Sequence, residues 1–289
     1  MGLKEEHMSS KKKYRENFKK AVKMEIREHK SSFAVYMIIR SIVFLVMIRQ
    51  AFNGNYENVF MCILTLLLLT VPSFIQVRFR IELPKTLEII ILLFIFSAEI
   101  LGEVNEFYLK IPYWDTILHT LNGFLAAAIG FSLVDLLNSD DRLVFNLSPF
   151  FVAVVAFCFS MTIGVLWEFF EFFADYFLKL DMQKDTVIHS INSVLLNPDG
   201  VNVPYHIKDI TSTVVNGADL GINGYLDIGL IDTIKDLLVN FIGAVVFSVI
   251  GYFYTKKKGK GYIAPNFIPR PKDDGADFLK MLEDEESGR

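Results

Sequence analysis

The chain has 289 residues, 52% of them hydrophobic, with a formal net charge of -4 and a mean hydropathy of +0.38. The apolar residues gather into runs of about 18 or more with few charges, which excludes an ordinary soluble domain. The basic stretches all flank those runs, which argues against nucleic-acid binding, and the two cysteines, Cys62 and Cys158, lie within the runs rather than in a secreted-type disulfide framework.

In chain order, residues 1–32 are charged and helix-favouring and carry the basic run KKKYRENFKK; they read as a cytosolic or membrane-surface segment. The apolar stretch that follows begins near Ser32 and runs too long for a cleavable signal, so the first span is expected to stay as an anchor. Membrane spans are predicted at 33–52, 57–76, 86–105, 114–137, 149–178 and 230–254, about six in all. The fold class expected is all-α, a polytopic membrane helical bundle over 33–254.

Basic residues set the orientation. Segments 1–32, 77–85, 138–148 and 255–289 hold the N-terminal lysines, Arg78, Arg80, Lys85, Arg142 and Lys256, Lys257, Lys258 and Lys260. Segments 53–56, 106–113 and 179–229 hold only Lys110, Lys179, Lys184 and Lys208. Both termini are therefore expected in the cytosol. The tail 255–289, from Gly259 onward, reads as largely disordered. In the outer loop 179–229, Val187, Ile191, Val194 and Leu195 share a helical face and predict a short helix on the membrane. NPDG then marks a turn, and the rest is Gly- and Asn-rich irregular chain, either a lid or binding loop or a solvated connector.

Ionised side chains cost roughly 2.5–3.5 kcal/mol at the centre of a span, so those retained usually face a site or a partner. Here they come in sets at helical spacing: Glu99 and Glu103, Asp115 and His119, Glu168, Glu171 and Asp175, and Asp232 and Asp236. Asn122 and Asn240 extend two of these stripes by one turn. With the orientation above, all four stripes arrive at the outer level. So many carboxylates around one imidazole would need either raised pKa values or cations. The expected site is one for a divalent cation, Mn, Mg or Zn, with Ca also suited and Cu(I) not. Its ligands would come from Asp115, His119, Glu168, Glu171, Asp175, Asp232 and Asp236. Asn122, Asn240, Glu99 and Glu103 would stand behind them, and Glu168 and Glu171 are the candidate catalytic groups. Arg49 is an alternative counter-charge.

Plainer readings exist for several of these residues. Asp115 and Asp232 could cap their helices, and Glu171 and Asp175 could lie solvated beyond the hydrocarbon. Neither explains His119, Asp236, Glu99 or Glu168, each a turn or more inside a span. A third echo, Asp185 and His189 in DTVIH, could add a ligand but reads rather as a surface pair. The phenylalanines of WEFFEFFADYF suit lipid contact, and GFLAAAIG suits close helix packing.

The motifs YWDTILHTLNGF, LWEFFEFFAD, DMQ at Asp181 to Gln183, and DTIKDLLVNFIGA together resemble a bacterial family of uncharacterised multi-pass inner-membrane proteins, the YjdF type, over roughly residues 86–255. More distantly, the opening D…H of one span and the D…N…GA of the last resemble VanZ-like proteins of the cell envelope. The resemblance implies Asp115, His119, Glu168, Glu171, Asp175, Asp232, Asp236 and Asn240 as site residues without naming a reaction. This chain departs from the pattern in its longer outer loop.

Three functions remain open on this reading. One is a metal-dependent enzyme acting on an envelope lipid or lipid-linked substrate from the outer side. Another is a divalent-cation or ion-coupled transporter, although a site near one face differs from the usual midplane position. The third is a non-catalytic membrane binding or assembly protein.

Overall fold

A computed structural model of the protein describes residues 2–138, 147–273 and 275–287. The order of elements is α1 (Gly2–Glu28), α2 (Lys30–Phe52), α3 (Tyr56–Leu68), α4 (Val71–Phe79), β1 (Ile81–Glu82) and α5 (Lys85–Phe96). A π-helical segment, Ser97–Val104, continues α5, and α6 (Phe107–Lys110), α7 (Trp114–Asn138) and α8 (Pro149–Leu178) follow. The loop after α8 holds β2 (Thr186–Ile188), β3 (Ile191–Ser193), β4 (Tyr205–Ile207), β5 (Val214–Val215), β6 (Ala218–Asp219) and β7 (Tyr225–Asp227). The chain closes with α9 (Leu230–Lys256), β8 (Arg270–Pro271) and α10 (Phe278–Ser287).

Among the described residues five helical stretches are long and apolar enough to cross a membrane: Lys30–Phe52, Tyr56–Phe79, Trp114–Asp135, Pro149–Leu178 and Leu230–Lys256. The second is interrupted between Leu68 and Val71, where Pro72 lacks the N–H that would continue the ladder. The sixth expected span, 86–105, is different in kind. It is 12 residues of α-helix joined to eight of π-helix, with Glu99 and Glu103 on the wide turns. Outward-facing Ile38, Leu45, Phe60, Leu67, Phe169, Leu238 and Ile242 are exposed, an apolar girdle suited to lipid rather than water. The protein is an all-α polytopic membrane bundle.

Its centre is the α7–α8–α9 triple. Phe131 and Phe247 are fully buried there among Ala127, Ala128, Ala156 and Ala244. Glycines let backbones touch, since lipid supplies no hydrophobic drive and packing must hold the helices. A Cβ on Gly243 would lie 2.0 Å from the Thr120 carbonyl oxygen, and one on Gly123 would lie 2.1 Å from that of Asn240. Gly243→Ala is therefore expected to separate α7 from α9 at a cost of about 3 kcal/mol, a melting shift on the order of 10 °C in detergent. An unchanged melting temperature would contradict this close approach. A second layer, α2 with α3, α5 and the π segment, packs around Val43, Cys62, Leu92 and Ile100.

Two expectations are corrected. The predicted surface helix around 187–195 is instead β2 and β3, paired antiparallel with β7 and β4. A short apolar run has no decisive period, and the β-branched Val187, Ile188 and Ile191 favour strand once partners supply the ladder. The tail is not disordered over its described part. β8 pairs with β1, Ile81 opposite Pro271 and Glu82 opposite Arg270, and α10 packs on α1 through Leu279 and Ala21. Most of the predicted inner segment 138–148, with Arg142, lies outside the described residues.

Candidate metal centre

The ionisable stripes meet at the end of the bundle that carries the 179–229 loop. α7 starts after Tyr113, whose φ of 64° turns the chain into the helix, and sets Asp115 in its first turn with His119 one turn on. Asp236 comes from the second turn of α9. His119 Nε2 stands 3.4 Å from Asp115 Oδ1 and 3.8 Å from Asp236 Oδ2. These separations exceed a good hydrogen bond. Two donors about 2.1 Å from one ion at the tetrahedral angle stand about 3.4 Å apart, which the Asp115 separation matches and the Asp236 separation exceeds, so shared ligation needs Asp236 to draw in.

α8 supplies the other wall. Glu168 and Glu171 lie one turn apart and are buried, and with Asp236 they bring one carboxylate oxygen each within 4.8 Å of one another. Asp115, His119 and Asp236 form a second trio by the same measure. Asp236 belongs to both. Among the described residues Glu168 Oε2 is buried and finds no hydrogen-bond partner, and Glu168 as a whole is only 5% exposed. A desolvated, unsatisfied carboxylate oxygen is costly, and a cation would satisfy it. The donor set, carboxylates with one imidazole, fits the hard and borderline divalent ions expected from the sequence.

A cavity of about 370 Å³ opens beside the cluster. Leu68, Phe94, Ile95 and Ala98 form an apolar wall, and Glu99, Glu103, Asp115, His119, Glu171 and Asp232 form a polar one. A second cavity of about 260 Å³, lined by the Tyr108–Thr116 turn with Asp232, Lys235 and Asp236, reaches the same residues from another side. The cluster therefore sits between a largely apolar space and a polar one.

The other expected site residues take distinct parts. Asp175 accepts the backbone N–H groups of Met182 and Gln183, at 2.6 and 2.9 Å. Asp232 accepts that of Lys184 at 2.8 Å. Both carboxylates fasten the start of the loop over the cavity, and neither is in a trio. Asp232 is thus not the cap of its own helix; Asp227 Oδ2 accepts the Ile231 N–H at 2.9 Å. Asn122 lines the cavity and donates to Asn240 Oδ1 at 3.3 Å. Asn240 is fully buried and points its own amide toward the Ser160 carbonyl at 3.5 Å, tying the three helices together one turn below the trios. Glu99 and Glu103 face the cluster across the cavity. Arg49 is exposed and does not line it. His189 is exposed and meets the Ile210 carbonyl, so the third echo is a surface feature.

Sequence reasoning missed Lys184, Met182, Trp167 and Tyr108 as lining groups. Trp167 Nε1 donates to Glu171 Oε1 at 2.9 Å. Burial, with the nearby charges of Asp115 and Glu103, holds the Tyr108 phenol above its ordinary pKa, so it stays a neutral donor at the rim. Gln183 Nε2 donates to Thr233 at 2.7 Å, completing the clasp between loop and α9.

No curated protein and no solved structure matches the chain. Residues 34–257, from the first turns of α2 to just past α9, match a family described as predicted membrane proteins, DUF2238. With the bundle, the loop and every residue of the two trios inside that match, the chain belongs to the DUF2238 family of membrane proteins.

Proposed function

We propose that the protein is a divalent-cation-dependent enzyme of the bacterial inner membrane, acting at the outer face on an envelope lipid or lipid-linked substrate. The observation that carries this reading is the position of the two trios, where an apolar-walled cavity meets a polar one. An amphipathic substrate fits such a junction, with its chain along Leu68, Phe94 and Ile95 and its head group at His119 and the carboxylates. The positive-inside distribution supports an outer position for this end. The YjdF-type and VanZ-like resemblances of the motifs agree with a role in the envelope.

A bound divalent ion would polarise the ester oxygen of the substrate. Glu168 and Glu171 are assigned to activate water, in the simplest form by taking its proton. The water oxygen then bonds to the ester centre, the ester bond breaks, and the departing alcohol takes up a proton. Trp167 orients Glu171 for that part, and the Met182–Lys184 strap shields the centre from bulk water.

Transport is disfavoured by the packing beneath the site. Gly123, Gly243 and Asn240 bring α7 against α9, and Phe124, Phe247 and Phe267 fill the next level with edge-to-face contacts. Protein purified without chelator is expected to contain Mn, Mg or Zn, to lose it on His119→Ala, and to turn over a phospholipid or undecaprenyl-linked ester. Metal-free wild-type protein that also ignores added Mn²⁺ or Zn²⁺ would overturn the reading. Cation uptake into proteoliposomes, without turnover, would replace it with transport.

A further inference from the structure

We infer that the centre holds two divalent ions bridged by Asp236, one against Asp115 and His119 and the other against Glu168 and Glu171. This rests on the cation-site reading above and specifies how Glu168 and Glu171 act.

Geometry is the first support. The two trios are each within 4.8 Å and share only Asp236. A carboxylate has two oxygens and can serve both sides. Ligand atoms on one small ion, each about 2.1 Å from it, cannot be more than about 4.2 Å apart, so the widest pair in each trio has to close by about half an ångström or more where it stands near the 4.8 Å limit. One ion serving both trios at once would have to bind five residues, and the α8 carboxylates already form their own set with Asp236.

The second support is the unpartnered atom. Among the described residues Glu168 Oε2 is buried without a hydrogen bond, and Glu168 is absent from the trio around His119. An ion at Asp115 and His119 alone would leave that oxygen unsatisfied. Charge is the third. Asp115, Asp236, Glu168 and Glu171 carry four formal negative charges when ionised. One dication leaves two of them uncompensated among groups mostly buried, whereas two dications cancel all four, and uncompensated buried charge costs several kcal/mol per ion.

Paired ions about 3.5–4 Å apart clamp both the attacking and leaving oxygens of an in-line displacement. That points to a phosphate ester as the substrate class. Glu168 and Glu171 would then activate water by holding the ion that binds it.

The test is to strip full-length protein in detergent, reload it with Mn²⁺ alone, and count ions per chain while recording its electron paramagnetic resonance spectrum. Two ions per chain with an exchange-coupled spectrum are expected, falling to one ion and an isolated-ion spectrum in Glu168→Gln with Glu171→Gln. One ion per chain in the wild type, with an isolated-ion spectrum, overturns the inference and leaves the single-site reading standing. Two ions without coupling overturn the bridge. No bound ion overturns both readings. The count and the coupling in the wild type decide the matter even where the double variant fails to fold.

Discussion

Asp236→Asn is expected to abolish divalent-cation binding while raising the melting temperature of the metal-free protein. Asp236 is the residue common to both trios, it is buried, and its Oδ2 faces His119 Nε2. Loss of such a ligand should weaken ion binding by about 1000-fold or more, which corresponds to about 4 kcal/mol. In the empty protein the same carboxylate is a liability, since three like charges, Asp115, Glu168 and Glu171, crowd it against the one imidazole of His119. Removing one charge without changing shape should stabilise the apo form, by on the order of 1–3 kcal/mol. Wild-type protein at 100 times the dissociation constant gains about 2.7 kcal/mol from Mn²⁺, and the variant should gain none. Melting curves with and without Mn²⁺ separate these effects. A variant that still responds to Mn²⁺ like the wild type would remove Asp236 from the ligand set, and an apo variant that melts well below the apo wild type would make it a structural group. A stability gain joined to a functional loss is the signature expected where a site is kept strained for its ligand.

Much of this centre could be read from residue spacing. Asp115 with His119, and Asp236 with Asn240, fall at i and i+4, and orientation carried them to one end of the bundle. What spacing could not do was sort carboxylates that look alike. Asp175 and Asp232 share stripes with Glu171 and Asp236, yet the backbone amides of Met182, Gln183 and Lys184 already occupy them. That depends on the path of the loop, which periodicity does not encode. For the same reason Lys184 and Met182 were missed as lining groups, although the DMQ motif contains Met182 and ends one residue before Lys184. Asn122 and Asn240, expected behind the ligands, bond to each other, because close approach at Gly123 and Gly164 leaves the Asn240 amide pressed between helices.

The spans themselves were legible because lipid demands long apolar helices. The stretch 86–105 kept its length and lost its regularity: the π segment Ser97–Val104 widens the turns that carry Glu99 and Glu103. Such segments frequently accompany functional sites, and no hydropathy pattern announces one. The loop and the tail failed for another reason. Both take their order from distant partners, β2 from β7 and β8 from β1, and local composition holds no record of those pairings.

Lys272→Met is expected to release the tail from the bundle, and to do so more at pH 8 than at pH 5. The side chains of Lys272 and Glu25 are each 1% exposed and form a direct ion pair, with Glu28 3.8 Å from the same ammonium. The Lys272 backbone N–H donates to the Arg80 carbonyl at 2.9 Å, its Nζ also meets the Ala276 carbonyl at 3.2 Å, and the Phe278 ring lies beneath it. Arg80 pairs in turn with Asp277 at 3.4 Å. Removing one partner of a buried ion pair strands the other, at about 3–5 kcal/mol. The stranded group can escape by protonation. Burial raises the Glu25 pKa to about 7, against the lowering effect of Lys272. Because the folded state holds that proton more tightly than the unfolded one, the contribution of Glu25 to stability is complete below the ordinary carboxylate range and is lost as pH rises through about 7. Without Lys272 the Glu25 pKa moves further up, so the variant should be least stable in the alkaline range. Hydrogen exchange over residues 270–287 reads this directly: protection should collapse at pH 8, persist in part at pH 5, and return at pH 8 when Glu25→Gln is added. Equal protection at the two pH values would show that the strand pairing and α10 hold the tail, with the buried lysine a passenger.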